Sequence, residues 1–206
     1  MSQLQALFLN TSLKRGQERS NTSALLEKAG AWLQKENVAV EEVRIADYRI
    51  LPGMEPDMGD GDEWPSIRSK VMKADILLIG TPVWIGERSS LSTLVLERLY
   101  ASSGETNEKG QAIYYNKTAG VVVTGNEDGA KNAAKPILYA LQHIGFTVPP
   151  NVDAYWVGEA GPGPSYIEAG QNSEFTKKNT KMMAYNLIHF SRMLRETPIP
   201  AEGNTE

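Results

Sequence analysis

The chain of 206 residues contains no cysteine and only two histidines. Without cysteine it can form no disulfide, no thiolate nucleophile and no cysteine-ligated zinc or iron–sulfur cluster. His143 and His189 lie on predicted helices, away from any evident carboxylate cluster, so structural or surface roles are expected for them. We therefore expect no metal site.

Long apolar runs and an excess of one charge are also missing. No run approaches the ~20 apolar residues that a membrane helix requires, and the N-terminus MSQLQALFLNTS lacks the basic and apolar regions of a signal peptide. The 21 Lys+Arg against 25 Asp+Glu give a net charge of -4, which disfavours nucleic acid as a partner. We expect a soluble, cytoplasmic protein of one domain, with neither a nucleic-acid nor a membrane partner.

Short apolar strands alternate with helical patterns along the whole chain. Strands are predicted at 4–9, 38–45, 76–80 and 120–123, with an interrupted fifth at 146–148 and 154–157. The second strand alternates apolar and polar residues, as an edge strand does, whereas ILLIG and GVVV are apolar throughout, which is typical of strands covered on both faces. The sequence thus predicts a doubly wound α/β fold, with a five-stranded parallel sheet and helices on both faces.

Three loops should lie at the carboxyl ends of these strands, where open α/β sheets bind ligands. The first, residues 10–22, carries hydroxyls and cations just before a helix, and helix amides and hydroxyls are phosphate donors. It contains neither G-x-x-x-x-G-K-[ST] nor G-x-G-x-x-G, so a monophosphate is favoured over a triphosphate or a dinucleotide. The alternative is that Ser20-Asn21-Thr22 only caps the helix.

The second and third loops are apolar and glycine-containing, respectively. Residues 81–90 begin Thr-Pro-Val-Trp-Ile, which suits the edge or face of a flat aromatic ligand but also packing under a helix or against a partner subunit. Residues 124–129, TGNEDG, allow close backbone approach to a ligand, although such residues are also common in turns and helix caps.

Taken together, Ser12…Arg15…Ser20-Asn21-Thr22, Thr81-Pro82-Val83-Trp84 and Thr124-Gly125-Asn126 resemble the flavodoxin-like NADPH-dependent FMN reductase family. The resemblance extends over about residues 4–195 and includes the related quinone reductases and iron–sulfur flavoproteins. It implies FMN as cofactor, NAD(P)H as co-substrate, and hydride transfer through FMN N5 to a quinone, a flavin or an azo compound. It implies no catalytic side chain.

Matching positions imply a set of cofactor-binding residues. Those implied at the phosphate are Ser12, Lys14, Arg15, Ser20, Asn21 and Thr22. Those implied beside the isoalloxazine ring are Pro82, Val83, Trp84 and Ile85, and those along its other polar edge are Thr124, Gly125, Asn126, Glu127 and Gly129. The resemblance also implies a flavodoxin-like FMN-binding domain over 1–197 and a homodimer or homotetramer. Residues 198–206 are polar with few apolar side chains, so a disordered tail is expected there.

The chain departs from the family pattern in two places. Residues 51–65 lack the cysteine motif of the iron–sulfur flavoproteins, so no cluster is expected. In the first loop Leu13 replaces the usual proline and residues 16–19 extend the loop, so the roles of Lys14, Arg15 and Arg19 are interchangeable.

A flavodoxin-type electron carrier without NAD(P)H activity is the alternative function, although a net charge of -4 is mild for such a carrier. Residues 159–166 form either a lid or a rigid crossover.

Overall fold

The computed structural model describes residues 3–205, which form six strands and five α-helices. In chain order these are β1 (Leu4–Asn10), α1 (Asn21–Lys35), β2 (Val38–Arg44), α2 (Trp64–Lys73), β3 (Ile76–Trp84), β4 (Glu87–Arg88), α3 (Ser90–Tyr100), β5 (Thr118–Gly125), α4 (Ala130–His143), β6 (Asp153–Val157) and α5 (Glu174–Glu196).

Five of the strands form one parallel sheet in the order β2-β1-β3-β5-β6. The short β4 lies off this path and pairs antiparallel with the end of β3. With β4 set aside, the order is the flavodoxin-like one, whose switch point falls between β1 and β3. The predicted doubly wound, five-stranded parallel sheet is confirmed, and so is the edge position of β2.

Helices cover both faces of the sheet because successive strand residues point to opposite sides. On one face, Phe8 and Leu78 pack in a buried cluster with residues of α1 and α5, including Leu26 and Leu187. On the other face, Leu77 belongs to the buried cluster that α2, α3 and α4 complete. The continuous apolar runs that indicated two-sided burial thus serve two separate cores.

Strand β3 is longer than predicted, and it converts part of the second loop into a hairpin. Its ladder with β5 continues to Pro82↔Thr124, and Val83 and Trp84 then pair with Arg88 and Glu87 of β4. The sequence analysis placed Thr81 and Pro82 in the loop after a strand at 76–80, and proline in a sheet is confined mostly to strand edges and bulges. Here β1 pairs with β3 only as far as Gly80, so Pro82 has a strand neighbour on one side alone.

The fifth parallel strand is only Asp153–Val157, and the predicted segment 146–148 contributes a single bridge, Thr118↔Thr147. Beyond α5, Gln111 Nε2 donates hydrogen bonds of 3.0 and 3.1 Å to the carbonyls of Ile199 and Pro200. The first tail residues are therefore bonded to the connection between α3 and β5. The domain boundary at 197 and the disorder expected after it stay predictions.

A buried ion pair holds the connection between β2 and α2. The Arg98 guanidinium donates to the Leu51 carbonyl at 2.6 Å and to Asp62 Oδ2 at 2.8 Å, and neither side chain of the pair is exposed. Burial by itself would raise the pKa of Asp62, but the amides of Met58, Leu51 and Trp64, together with Arg98, hold that pKa below its usual value. This network fixes a long connection whose regular structure is limited to a short 3-10 helix at Ile45–Asp47.

Candidate functional site

A cavity of about 680 Å³ lies at the carboxyl ends of β1, β3 and β5, at the predicted switch point. All the predicted site residues except Arg15 and Gly129 line it. Its lining residues are Ser12, Leu13, Lys14, Glu18, Ser20, Asn21, Thr22, Pro82, Val83, Trp84, Ile85, Thr124, Gly125, Asn126, Glu127, Gly161 and Ser165. The three loops that the sequence analysis singled out therefore meet in one site.

Ser20 is the N-cap of helix α1 and also lines the cavity floor. Its Oγ accepts the amide of Ser23 at 3.2 Å, the arrangement of a helix N-cap, and donates to Ser12 Oγ at 3.1 Å. Because the Ser20 proton is used in this bond, Ser12 Oγ is an acceptor there and keeps its own proton for a ligand. The two interpretations of Ser20, helix cap and site residue, thus describe one geometry.

The start of α1 adds further donors. Asn21 and Thr22 are the first two helical residues, so their amides have no acceptor within the helix. Thr22 Oγ1 lies 3.1 Å from Thr124 Oγ1, which joins the first loop to the third. Two hydroxyls share one proton in such a bond, so the second proton is available to a ligand. The floor is a set of uncharged donors at the positive end of a helix dipole.

Only one of the three cations in the first loop reaches the cavity. Lys14 lines it and donates from Nζ to the Arg19 carbonyl at 2.7 Å, which closes the loop on itself. Arg15 is exposed and lies outside the cavity lining, and its place at the phosphate stays a prediction. Arg44, from the end of β2, holds the same loop through the carbonyls of Gly16 and Glu18 at 2.7 and 2.9 Å.

The hairpin of β3 and β4 forms an apolar wall beside this floor. Trp84 is 54% exposed and Ile85 is 94% exposed, although both are large apolar residues. Ile85 also has a φ of 57°, in the left-handed region that β-branched residues rarely adopt. Its amide donates to Glu127 Oε1 at 2.6 Å, which ties the hairpin tip to the loop after β5.

Gly129 lies against the tip of the β3–β4 hairpin and does not line the cavity. Its φ is 108°, and a Cβ at this position would lie 2.6 Å from Gly86 Cα and from the Gly86 carbonyl oxygen. Asn132 Nδ2 then donates to that carbonyl at 3.0 Å. Glycine is needed here because α4 begins in contact with the hairpin tip, and the role of Gly129 beside a cofactor stays a prediction.

Residues 158–165 border the cavity from the far side. The amide of Gly161 donates to the Asn126 carbonyl at 3.1 Å, and Asn126 Nδ2 donates to the Gly163 carbonyl at 2.8 Å. Gly161 and Ser165 line the cavity. Both belong to segment 159–166, for which the sequence left a lid or a rigid crossover open, although neither residue was predicted as a site residue. Asn126, a predicted site residue, thus holds this segment through its backbone and its side chain.

Buried hydroxyls beneath the cavity lock its strands together, and the sequence analysis did not identify this network. Thr11 Oγ1 donates to the Gly80 carbonyl at 2.7 Å, Ser89 Oγ donates to the Thr11 carbonyl at 2.7 Å, and the Ser89 amide donates to Thr81 Oγ1 at 3.0 Å. Since these bonds link β1, β3 and the start of α3, they set the distance between the first and second loops.

Within residues 3–205, no three or more His, Cys, Asp or Glu side chains are grouped so as to hold a metal ion. Among the helices of this described part, none has both the length and the apolar character needed to cross a bilayer.

Comparison with known proteins connects this site to a flavin family. The chain is 40% identical over 205 residues to 8-demethyl-8-aminoriboflavin-5'-phosphate synthase of Streptomyces davaonensis, covering 95% of this chain and 80% of that protein. It is 45% identical over 199 residues to a Mycobacterium bovis protein named divalent metal cation transporter MntH. That match covers 93% of this chain, which spans only 29% of the transporter's length.

Solved structures agree with the observed fold. A crystal structure of RosB with the bound intermediate 8-demethyl-8-formylriboflavin-5'-phosphate superposes with a TM-score of 0.88 at 40% identity, covering 95% of this chain and 82% of that one. The apo form of the NADH:FMN oxidoreductase EMOB gives 0.62 at 16% identity, covering 98% and 95%. The family model described as NADPH-dependent FMN reductase matches residues 5–160. The chain therefore belongs to the NADPH-dependent FMN reductase family, as its three loops predicted.

Proposed function

We propose that this chain is an FMN-dependent oxidoreductase that oxidises NAD(P)H and reduces a small acceptor, such as a quinone, a free flavin or an azo compound. The observation that carries the proposal is the meeting of two surfaces in one cavity. The donor-rich floor at the start of α1 suits a phosphate dianion, and the apolar wall of Pro82 to Ile85 suits a flat ring.

The floor fits the phosphate of FMN without a metal ion. The hydroxyls of Ser12 and Thr22, the amides of Asn21 and Thr22, and the Lys14 ammonium are the groups that would hold it. Anions bind well at helix N-termini because the amides there lack partners and the dipole is positive. Ser20 acts by fixing Ser12 and the helix start.

The wall and the third loop fit the ring system. Trp84 and Ile85 offer apolar surface, while Thr124, Gly125, Asn126 and Glu127 offer polar groups beside it. FMN, when bound, supplies hydride transfer at N5, and the protein supplies position and electrostatics. The residues of this chain therefore bind and orient, and none of them is assigned as an acid or a base.

Modification of the flavin itself is the second candidate function. A relative 40% identical to this chain is named as an 8-demethyl-8-aminoriboflavin-5'-phosphate synthase, and the RosB structure contains an 8-formyl flavin phosphate. In that function riboflavin 5'-phosphate would be the substrate of the same cavity. The two functions share the binding of a flavin phosphate and differ in whether its ring changes.

The experiment that tests the proposal is a visible spectrum of the purified protein after FMN addition and desalting, then anaerobic addition of NADPH and of NADH. Retained flavin that bleaches, together with steady-state reduction of a quinone or free FMN, supports the reductase. Retained flavin that neither nucleotide reduces indicates an electron carrier. A changed flavin mass after aerobic incubation with candidate amine donors indicates the second function. Failure to bind or reduce FMN in any assay overturns all three.

We also propose that the chain works in the cytoplasm as a homodimer or homotetramer. Ile85 supports an assembly, since an almost fully exposed isoleucine at a cavity mouth can pack against a second copy. Light scattering after size exclusion, with wild type and with Ile85→Asn, tests this: a monomeric wild type contradicts it.

A further inference from the structure

The first loop leaves the cavity floor at Ser12 and returns to it at Ser20. Both serines are buried, whereas residues 13–19 between them are exposed and belong to neither a helix nor a strand. Lys14 and Glu18 of this segment nevertheless line the cavity, and within residues 3–205 Lys14 is the one cation of that lining. An exposed segment gains little from apolar burial, so its position depends on hydrogen bonds.

Two hydrogen bonds within the segment give it a turn of its own. Lys14 Nζ donates to the Arg19 carbonyl at 2.7 Å, and the Glu18 amide donates to the Arg15 carbonyl at 3.1 Å. These bonds shape residues 13–19, but they do not determine where the turn lies relative to the donor-rich floor at the start of α1.

Arg44 and Asp47 hold the turn from outside the cavity. Arg44 Nη1 donates to the carbonyls of Gly16 and Glu18 at 2.7 and 2.9 Å. Asp47 Oδ1 accepts the Gly16 amide at 2.7 Å. In the described part of the chain, every hydrogen bond between residues 13–19 and the rest of the protein ends on one of these two side chains. Neither of them lines the cavity.

The two side chains project from a well-packed part of the fold. Arg44 is the last residue of β2, and Asp47 is the last residue of the short 3-10 helix that follows. Ile45 and Ala46 between them are buried, and Ile45 belongs to the core that α2, α3 and α4 cover. Because packed core segments open rarely, Arg44 and Asp47 are held at a fixed place relative to the sheet.

We propose that Arg44 and Asp47 are positioning residues that give the cavity its preference for a phosphorylated flavin over riboflavin. They keep Lys14 at the part of the cavity that Ser12 and the start of α1 also line. The phosphate then meets donors that are already in place, and binding does not have to order the loop. This inference rests on the proposed flavin function and adds determinants of specificity that lie outside the cavity.

Two variants of Asp47 separate positioning from simple electrostatics. If charge alone mattered, removing a carboxylate near an anion site would strengthen FMN binding. We expect Asp47→Ala to weaken FMN binding about fivefold instead, because the loop loses an anchor. Asp47→Asn loses the same charge but keeps the Oδ1 acceptor, so it should stay within about twofold of wild type. Quenching of flavin fluorescence measures these affinities, and riboflavin affinity should not change in either variant.

Arg44→Met removes both carbonyl contacts and should weaken FMN binding about tenfold, again without a change for riboflavin. Arg49→Met is the control, because Arg49 is exposed and its guanidinium lies beside Gly61. Arg44→Met combined with Asp47→Ala should weaken FMN binding by less than the product of the two separate effects, since both variants release the same loop.

Trypsin tests the anchoring of the loop without any flavin. Lys14, Arg15 and Arg19 are exposed cleavage sites in the loop, and cleavage follows the population of open conformations. Cleavage there should be about fivefold faster in Arg44→Met and Asp47→Ala than in wild type or Asp47→Asn, with unchanged circular dichroism spectra.

Three results would overturn the proposal. The first is an Asp47→Ala variant that binds FMN as tightly as wild type or more tightly. The second is a loss of riboflavin affinity parallel to that of FMN, which would indicate a general structural role. The third is trypsin cleavage of the loop at the wild-type rate in both anchor variants. Each of these leaves the proposed function standing if wild type binds FMN, whereas a wild type that binds no FMN would overturn that function and this selectivity together.

Discussion

The backbone amide of Ile85 donates a 2.6 Å hydrogen bond to Oε1 of Glu127, and both residues line the cavity that is proposed to bind FMN. Ile85 is at the tip of the β3–β4 hairpin with a positive φ, and its side chain is almost wholly exposed. The Glu127 carboxylate thus offsets strain in the backbone while leaving the isoleucine side chain free for a ligand or a partner.

Glu127→Ala should loosen the hairpin tip and weaken FMN binding about fivefold to tenfold, because a hydrogen bond to a charged acceptor is lost. Glu127→Gln retains an acceptor and should stay within about threefold of wild type. Quenching of flavin fluorescence measures both affinities. Asp128→Ala, the exposed neighbour outside the cavity, is the matched control. Equal effects of Glu127→Ala and Asp128→Ala on FMN affinity would show that Glu127 has no positioning role.

Ser12→Ala should weaken FMN binding about tenfold, since the Ser12 hydroxyl keeps a free proton for the phosphate. Riboflavin lacks the phosphate group, so its binding should not change. Titration with both flavins provides this comparison within one protein. Ser23→Ala is a suitable control on the same helix, because its hydroxyl bonds to Glu42 outside the flavin cavity. A parallel loss of FMN and riboflavin affinity would remove Ser12 from the phosphate site.

Gly129→Ala should destabilise the protein by about 2–4 kcal/mol, because a positive φ is disfavoured for alanine and the new Cβ would overlap Gly86. Gly59→Ala has a φ of +91° with nothing within 4 Å of its Cβ, so it measures the backbone contribution alone. Urea denaturation of both variants gives the difference. If the two variants lose the same stability, the contact between α4 and the hairpin tip is not tight.

Asp62→Asn should cost about 3–5 kcal/mol at pH 7, since it leaves Arg98 charged, buried and unpaired. The Lys177–Glu174 pair is exposed, and Glu174→Gln should cost under about 1 kcal/mol. Urea denaturation at fixed pH measures both.

The same pair makes stability depend on pH. The pKa of Asp62 is lower in the folded state than in the unfolded state. The contribution of its carboxylate to the free energy of unfolding is therefore complete above the unfolded-state pKa and is lost as the pH falls through the folded-state pKa. Between neutral pH and the acid range below the usual aspartate pKa, wild type should therefore lose more stability than Asp62→Asn. Parallel pH profiles for the two proteins would contradict this.

Much of the site was predictable because its residues follow strands in the sequence. Ser12, Pro82 and Thr124 each come at or near the end of a parallel strand, and parallel strands end at the same edge of the sheet. Ser20 was predictable as a cap from its residue type and its place before an apolar helix stripe. These inferences need only local patterns and the rule for ligand sites in doubly wound sheets.

Arg15 and Gly129, the two predicted site residues that do not line the cavity, show what local patterns could not predict. Arg15 belongs to the same loop as Lys14, yet the loop closes through Lys14 and the Arg19 carbonyl, which leaves Arg15 outside. Gly129 resembles a ligand-contacting glycine, but the close approach it allows is to Gly86. In both cases the residue type was informative, whereas its partner depended on a contact between separate parts of the chain.

The sequence by itself determined the alternation of strands and helices, the two-sided burial of the central strands and the three loops at the carboxyl ends of the strands, because apolar periodicity and turn chemistry are local. Only the tertiary structure decided that β3 continues into a hairpin and that Gly161 and Ser165 complete the cavity. These features join residues far apart in the chain, and which distant groups meet depends on how the helices pack across the whole sheet.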